Sequence, residues 1–183
     1  MKEETCIILD FLPSGYSDRR KPEPIAQAIG TSFFSMLELI ARENTTLMPE
    51  EEVYIGDGKR DKIRFIRGQL EFRDLTNMSR TLLPDVIEKL VARNEKKFID
   101  FFNKASTITP RMHQFELLPG IGKKHLMDIL DERRKKPFES FEDMKSRVKQ
   151  FSDPAKAIVA RIVSELEGNE KYYIFTPAPR RQY

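Results

Sequence analysis

Apolar residues recur at two different spacings along this chain of 183 residues. Up to about Leu75 they form short runs rich in β-branched side chains, or alternate with polar ones, which is how strands read. Thr5 to Phe11, Ile25 to Ile29, Phe33 to Ile40, Val53-Tyr54-Ile55 and Lys62 to Arg67 are the segments expected to extend, although Phe33 to Ile40, whose apolar residues do not alternate cleanly, also reads as a helix. Between the first two lies Pro13 to Pro24, with three prolines, a glycine and the triplet Arg19-Arg20-Lys21, the composition of a long exposed loop. Gly56-Asp57-Gly58-Lys59 lacks the spaced first glycine and the trailing Ser or Thr of a phosphate loop, so it predicts a tight turn.

From Asn77 the spacing changes to three and four. Leu82, Leu83, Val86, Ile87, Leu90 and Val91 predict a helix over Asn77 to Arg93, and Phe98, Ile99, Phe101 and Phe102 a second over Asn94 to Lys104. Thr109-Pro110 reads as an N-cap and first-turn proline opening a short helix that ends at Leu118. Leu126, Ile129 and Leu130 mark the next helix. Ser140-Phe141-Glu142-Asp143 resembles a capping box, and Ser152-Asp153-Pro154 caps a last helix with Ile158, Ile162, Val163 and Leu166 inward. Lys171 to Phe175 reads as a strand placed to return to the first sheet.

The fold class expected is therefore α+β. Five short strands before any long helix predict a small OB-like β-barrel, followed by an all-helical part. The divisions read as 1–76 for the barrel, 77–108 for connecting helices, 109–168 for a helix-hairpin-helix domain and 169–183 for the C-terminal strand and tail.

Candidate chemistry concentrates between the two helices around residue 120. Pro119 cannot continue a helix as a donor, Gly120 permits a positive φ, and Gly122 opens a helix whose first N–H groups lack intrahelical partners and stabilise an anion. Lys123 and Lys124 add charge there. Leu118-Pro119-Gly120-Ile121-Gly122-Lys123 is similar to the helix-hairpin-helix motif, which implies that the hairpin, Gly120, Ile121, Gly122, Lys123 and Lys124, contacts the sugar-phosphate backbone of DNA or RNA. A plain αα-hairpin needs neither the second glycine nor the lysines. The unit from Ser140 onward reads as a degenerate second hairpin, a scaffold with a basic rim of Lys145, Arg147, Lys149, Lys156 and Arg161, each of which also suits an ordinary solvated helix position. On the barrel, Tyr54, Lys59, Arg60, Lys62, Arg64 and Arg67 are candidates for an oligonucleotide-binding face, or for charges that keep an edge strand soluble.

Composition narrows the choices. The net charge of +3 is modest, but residues 110–183 carry a balance of +4 and residues 1–109 a balance of −1, so the later part is the more basic. One cysteine, Cys6, excludes an intrachain disulfide and is expected to be buried in a strand; with only His113 and His125 no zinc cluster is expected, and no cofactor. No apolar run is long enough to span a bilayer and the start does not read as a signal peptide, so a cytoplasmic protein without a membrane partner is expected.

Beyond the hairpin, Asp10-Phe11-Leu12-Pro13-Ser14-Gly15-Tyr16, Pro24 to Gly30, Val53 to Gly56, Arg60 to Ile63, Phe101 to Ala105 and Glu116 to Lys124 resemble an archaeal family labelled domain of unknown function 655. That resemblance implies a nucleic-acid-binding protein with an OB-like part and a helix-hairpin-helix part, connected to RNA and translation, with a ribosome- or transcription-associated protein as a further partner. Two functions follow as expectations. One is a non-catalytic binding module that holds nucleic acid by its backbone. The alternative is a base-excision enzyme, in which Lys124 and Asp143 sit at about the interval of the catalytic pair of helix-hairpin-helix glycosylases.

Overall fold

The computed structural model describes residues 2–17, 22–151, 153–168 and 170–179; the basic triplet of the Pro-rich loop and Ser152 lie outside the described residues. The chain divides into two compact units, Met1–Val86 with Glu165–Tyr183, and Ile87–Ser164.

The first unit is a curled, antiparallel five-stranded sheet. Its strands are β1 (Thr5–Leu12), β2 (Ile25–Gly30), β3 (Met36–Ala41), β4 (Glu52–Tyr54) and β5 (Ile63–Gln69), in the order β4-β1-β2-β3-β5. A bulge between Ile8 and Asp10 on β1, and two register shifts between β3 and β5, supply the bends. Cys6, Ile8, Ala26, Ala28, Leu37, Leu39, Val53, Ile55 and Ile63 form one core against this sheet. Every residue of β2 and β3 is buried, including those that alternate away from that core. Both sheet faces are therefore covered at β2 and β3, while the edge strands β4 and β5 keep exposed residues.

Buried polar side chains stitch this unit together. Gln27, fully buried, donates to the Asp74 carbonyl and accepts from the Thr76 N–H, both at 2.9 Å. Thr76 then caps the next helix, α1 (Asn77–Arg93): its hydroxyl accepts from Ser79 N at 3.1 Å and donates to Asp10 at 2.7 Å. The Glu3 carboxylate accepts from the N–H groups of Ser32, Phe33 and Ser35 in the β2–β3 turn. Gly30 is required beside it, because a Cβ there would come within 2.0 Å of the Glu3 carboxyl carbon. Cys6 is buried as expected, and burial pushes its thiol well above the ordinary range, which makes it unreactive.

The strand expected at 171–175 does not form. That stretch is irregular, and the buried Glu165 carboxylate accepts from the N–H groups of Ile174, Phe175 and Thr176 and from the Thr176 hydroxyl, at 2.9–3.1 Å. Amides committed to one carboxylate cannot also join a ladder.

The second unit holds α2 (Glu95–Lys104), a two-stranded hairpin of β6 (Thr107–Thr109) and β7 (Met112–His113), a 3₁₀ turn over Gln114–Leu117, then α3 (Lys123–Lys135), α4 (Phe141–Arg147) and the start of α5 (Pro154–Glu167). The helix expected to open at Thr109-Pro110 is thus a β-hairpin and a single 3₁₀ turn. Three consecutive β-branched residues, Thr107, Ile108 and Thr109, favour the strand, and Pro110 takes the turn between Thr109 and its partner Met112. The core is aromatic: Phe102 lies 5.5 Å from Phe115 and 6.1 Å from Phe151, ring centre to ring centre. Among the described residues, no helix is long and apolar enough to cross a membrane.

Candidate nucleic-acid interface

The hairpin at 118–124 is anchored by two apolar residues and exposes everything between and after them. Leu118 and Ile121 are buried, while Pro119, Gly120, Gly122, Lys123 and Lys124 are exposed. Backbone bonds from Leu118 N to Phe115 O and from Ile121 N to Leu118 O fold the segment back on the 3₁₀ turn. Gly120 holds φ +83°, a conformation that a β-carbon disfavours. Arg161, almost wholly buried, reaches across from α5 to donate to the Leu117 carbonyl at 3.2 Å.

Gly122 is the N-cap of α3, with φ −91° and ψ −179° and no side chain to cap the helix. Any residue adopts that backbone, and a Cβ there would meet nothing within 4 Å. The fold alone therefore gives no reason for glycine, and Ser or Asp would cap the helix better. The first intrahelical bond of α3 is Leu126 N to Gly122 O at 3.0 Å, so the amides of Lys123, Lys124 and His125 come before the hydrogen-bond ladder begins. Among the described residues, neither Lys123 nor Lys124 has an ion-pair partner. The arrangement is an exposed cluster of N–H donors at the positive end of a 13-residue helix, flanked by two mobile cations.

Sequence reasoning passed over three residues that support this hairpin. His125 Nδ1 lies 2.9 Å from the Gly120 carbonyl; a carbonyl only accepts, so this nitrogen carries the proton and the ring straps the turn to α3. Arg133 donates to the carbonyls of Phe102 and Ala105, closing the end of α2. His113 accepts from Phe115 N at 3.1 Å, which fixes the 3₁₀ turn leading into the hairpin. Only the histidine-to-glycine spacing of five was visible beforehand, and it has no general meaning.

The His113 pKa lies below its ordinary value of 6.5: burial is the largest cause, the Arg133 charge adds to it, and Glu116 and the Ala105 carbonyl oppose it. A lowered folded pKa means that the unfolded chain binds the proton more readily. The stability contributed by neutral His113 is present above about pH 6.5 and is lost as pH falls through the folded value. Unfolding free energy should accordingly decline on acidification from pH 7.5, by no more than about 1.4 kcal/mol per pH unit from this group. Denaturant titrations of wild type and His113→Asn, whose amide oxygen can still accept from Phe115 N, should show a shallower decline in the variant; parallel curves would remove His113 as the cause.

The other candidates are placed differently. Arg147 is no rim cation: its guanidinium caps α3 at the Glu132, Lys136 and Pro137 carbonyls, pairs with Glu132 and Asp143, and stacks 4.6 Å over Phe138. Arg161 likewise serves the Leu117 carbonyl from inside the unit. A sequence displays the charges of Arg147 and Arg161 and hides the carbonyls that need them. Lys145, Lys149 and Lys156 remain exposed.

On the sheet unit, Arg67 pairs with Glu38 at 3.0 Å and with Glu23, Lys62 pairs with Glu51, and Arg60 donates to the Gly56 carbonyl at 2.8 Å. The Tyr54 hydroxyl accepts from Gly58 N at 2.9 Å, fixing the tight turn, where a Cβ on Gly56 would collide with Tyr54 and Glu4. Arg64 lies over its neighbour Phe65 and is exposed, as is Lys59. Four of these six residues are thus committed to local partners.

Asp143 accepts from Glu139 N and from Arg147, both at 3.1 Å. Although burial opposes it, these two donors hold its carboxyl below the usual range. Both donors fall on Oδ2 beside the Ser140-capped start of α4, and among the described residues the glycosylase pairing with Lys124 has no supporting contact.

Three comparisons bear on this chain. The family model described as "Protein of unknown function (DUF655)" matches residues 2–177. The uncharacterized protein MJ0038 of Methanocaldococcus jannaschii is 41% identical over 175 residues, which cover 94% of this chain and 79% of that one. The crystal structure of Af1531 from Archaeoglobus fulgidus, also described as DUF655, matches with a TM-score of 0.86 at 45% identity, over 96% of this chain and 100% of the other.

Proposed function

We propose, for a chain that belongs to the DUF655 family of proteins of unknown function, that it is a non-catalytic module gripping the sugar-phosphate backbone of nucleic acid through the hairpin from Leu118 to Lys124, in the service of RNA and translation. The observation that carries this reading is Gly122, a glycine at a helix N-cap where the backbone does not require one and a side chain would have room. A ligand that must approach the α3 amides closely supplies the missing reason. The lysines beside it contribute charge without base readout, as backbone recognition requires. The sheet unit, OB-like in its five curled strands, acts in this reading as support, because its central strands are covered on both faces.

Salt dependence tests the proposal. With Lys123 and Lys124 each neutralising one phosphate, log affinity should fall against log salt with a slope between about −1.4 and −1.8, following roughly 0.7 per contact on a single strand and 0.9 on a duplex. A slope indistinguishable from zero would rule out backbone recognition.

A further inference from the structure

The first unit carries a cavity of about 670 Å³, a size within the range of ligand-binding clefts. Ile66, Gly68 and Gln69 of β5 line it, together with Leu166 and with Pro177 and Pro179 of the tail. β5 stands at the edge of the sheet, with β3 as its neighbour among the described residues. Pro177 and Pro179 have no N–H, so the tail beside the cavity is unsuited to continue the ladder. Phe34, also on the lining, holds φ +56°, which an aromatic residue rarely adopts. The bonds from Ser32, Phe33 and Ser35 N–H to Glu3 fix the turn on both sides of it, so this part of the wall is built in advance.

Gly68 is the informative position. Its φ is not positive, and a Cβ there would meet nothing within 4 Å. The register shift beside it, which skips Arg67 in the pairing with β3, does not require glycine on that backbone. Glycine inside a strand costs stability, and it suits a place where another backbone approaches closely. Among the described lining residues the exposed charges are Glu71, Arg73 and Glu167. Arg73 pairs with Glu71 at 2.9 Å, so Glu167 gives the rim a net negative charge.

We propose that this cavity receives an extended peptide segment of a partner protein. The segment pairs its main chain with the edge of β5 beside Gly68, sets an apolar side chain among Leu37, Leu70 and Phe72 of the lining, and places a Lys or Arg against Glu167. Main-chain bonds supply affinity, while the cavity and the rim charge choose the side chains.

Selection of a displayed library of random peptides of about ten residues on the full chain tests this, with the Gly68→Val chain as counter-selection. Gly68→Val should fold with a Tm at or above that of wild type, since a Cβ has room there and valine favours a strand. Enriched peptides should alternate apolar with polar residues and hold more Lys and Arg than Asp and Glu. The tightest of them should bind the Gly68→Val chain at least about tenfold more weakly, because valine stands where the incoming strand must lie. Glu167→Lys, at an exposed position, should weaken the same peptide about two- to fivefold. Nucleic-acid binding through the hairpin should survive both variants. A library that yields no binder sensitive to Gly68, enriched peptides that are acidic, or a single-stranded oligonucleotide that displaces the peptide would each overturn the peptide site. None of those results touches the hairpin, so the two sites stand or fall separately.

Discussion

Gly122→Asp is expected to stabilise the protein and destroy its binding at the same time. The N-cap backbone at φ −91° and ψ −179° suits aspartate, and the site has room for the side chain. The new carboxylate would accept from the first-turn amides of α3 as Asp153 already does on α5. Capping and charge–dipole attraction together should add roughly 0.3 to 1 kcal/mol to stability. The same carboxylate takes the donors that a phosphate would use and repels it, so affinity should fall by at least about tenfold, or 1.4 kcal/mol. Opposite signs for folding and binding are the value of the variant, because loss of binding then cannot be blamed on loss of structure. Thermal unfolding and anisotropy on one preparation give both numbers. Unchanged affinity in a stabilised variant would remove the α3 amides from the site.

Glu165→Ala should cost a large part of the stability of the protein. Its carboxylate, 1% exposed, satisfies three successive backbone donors and a hydroxyl of the tail. Alanine leaves them unmade, and at roughly 1 to 3 kcal/mol for each buried donor that stays unpaired, the total after partial rescue by water is on the order of 3 to 5 kcal/mol. Tm should drop by roughly 10 °C. The amides of Ile174, Phe175 and Thr176 should lose protection from hydrogen exchange. If Tm and protection both stay at wild-type values, the tail is held by something other than this carboxylate.

Local chemistry explains which elements could be read in advance. The strands follow from short apolar runs, with β3 the least legible because Met36–Ala41 holds one β-branched residue and its apolar positions do not alternate cleanly. α1 and α2 lie within a residue of where apolar spacing puts them, because Asn94 breaks the helix between them. The hairpin glycines and lysines were legible because their signal is a short contiguous string. Three features were not, and each depends on partners distant in sequence. The tail at 171–175 has strand composition, but Glu165 captures its amides. Arg147 and Arg161 look like surface charge until the carbonyls of other elements are placed beside them. Thr109-Pro110 carries a helix-start signal that lost to three β-branched neighbours and a proline turn. One clue was available for the covered sheet: Gln27 and Glu38 stand singly within otherwise apolar runs, a pattern that fits strands buried on both faces with a polar network threaded through one of them.

The central claim is that backbone amides at the start of α3 hold phosphate. An amide-resolved NMR titration of the isotopically labelled protein with a short unlabelled single strand addresses those groups themselves. The account predicts the largest shifts at Gly120, Ile121, Gly122, Lys123 and Lys124, all saturating together at the Kd found by anisotropy. Saturable binding that moves the amides of the sheet unit and leaves these five in place would contradict it.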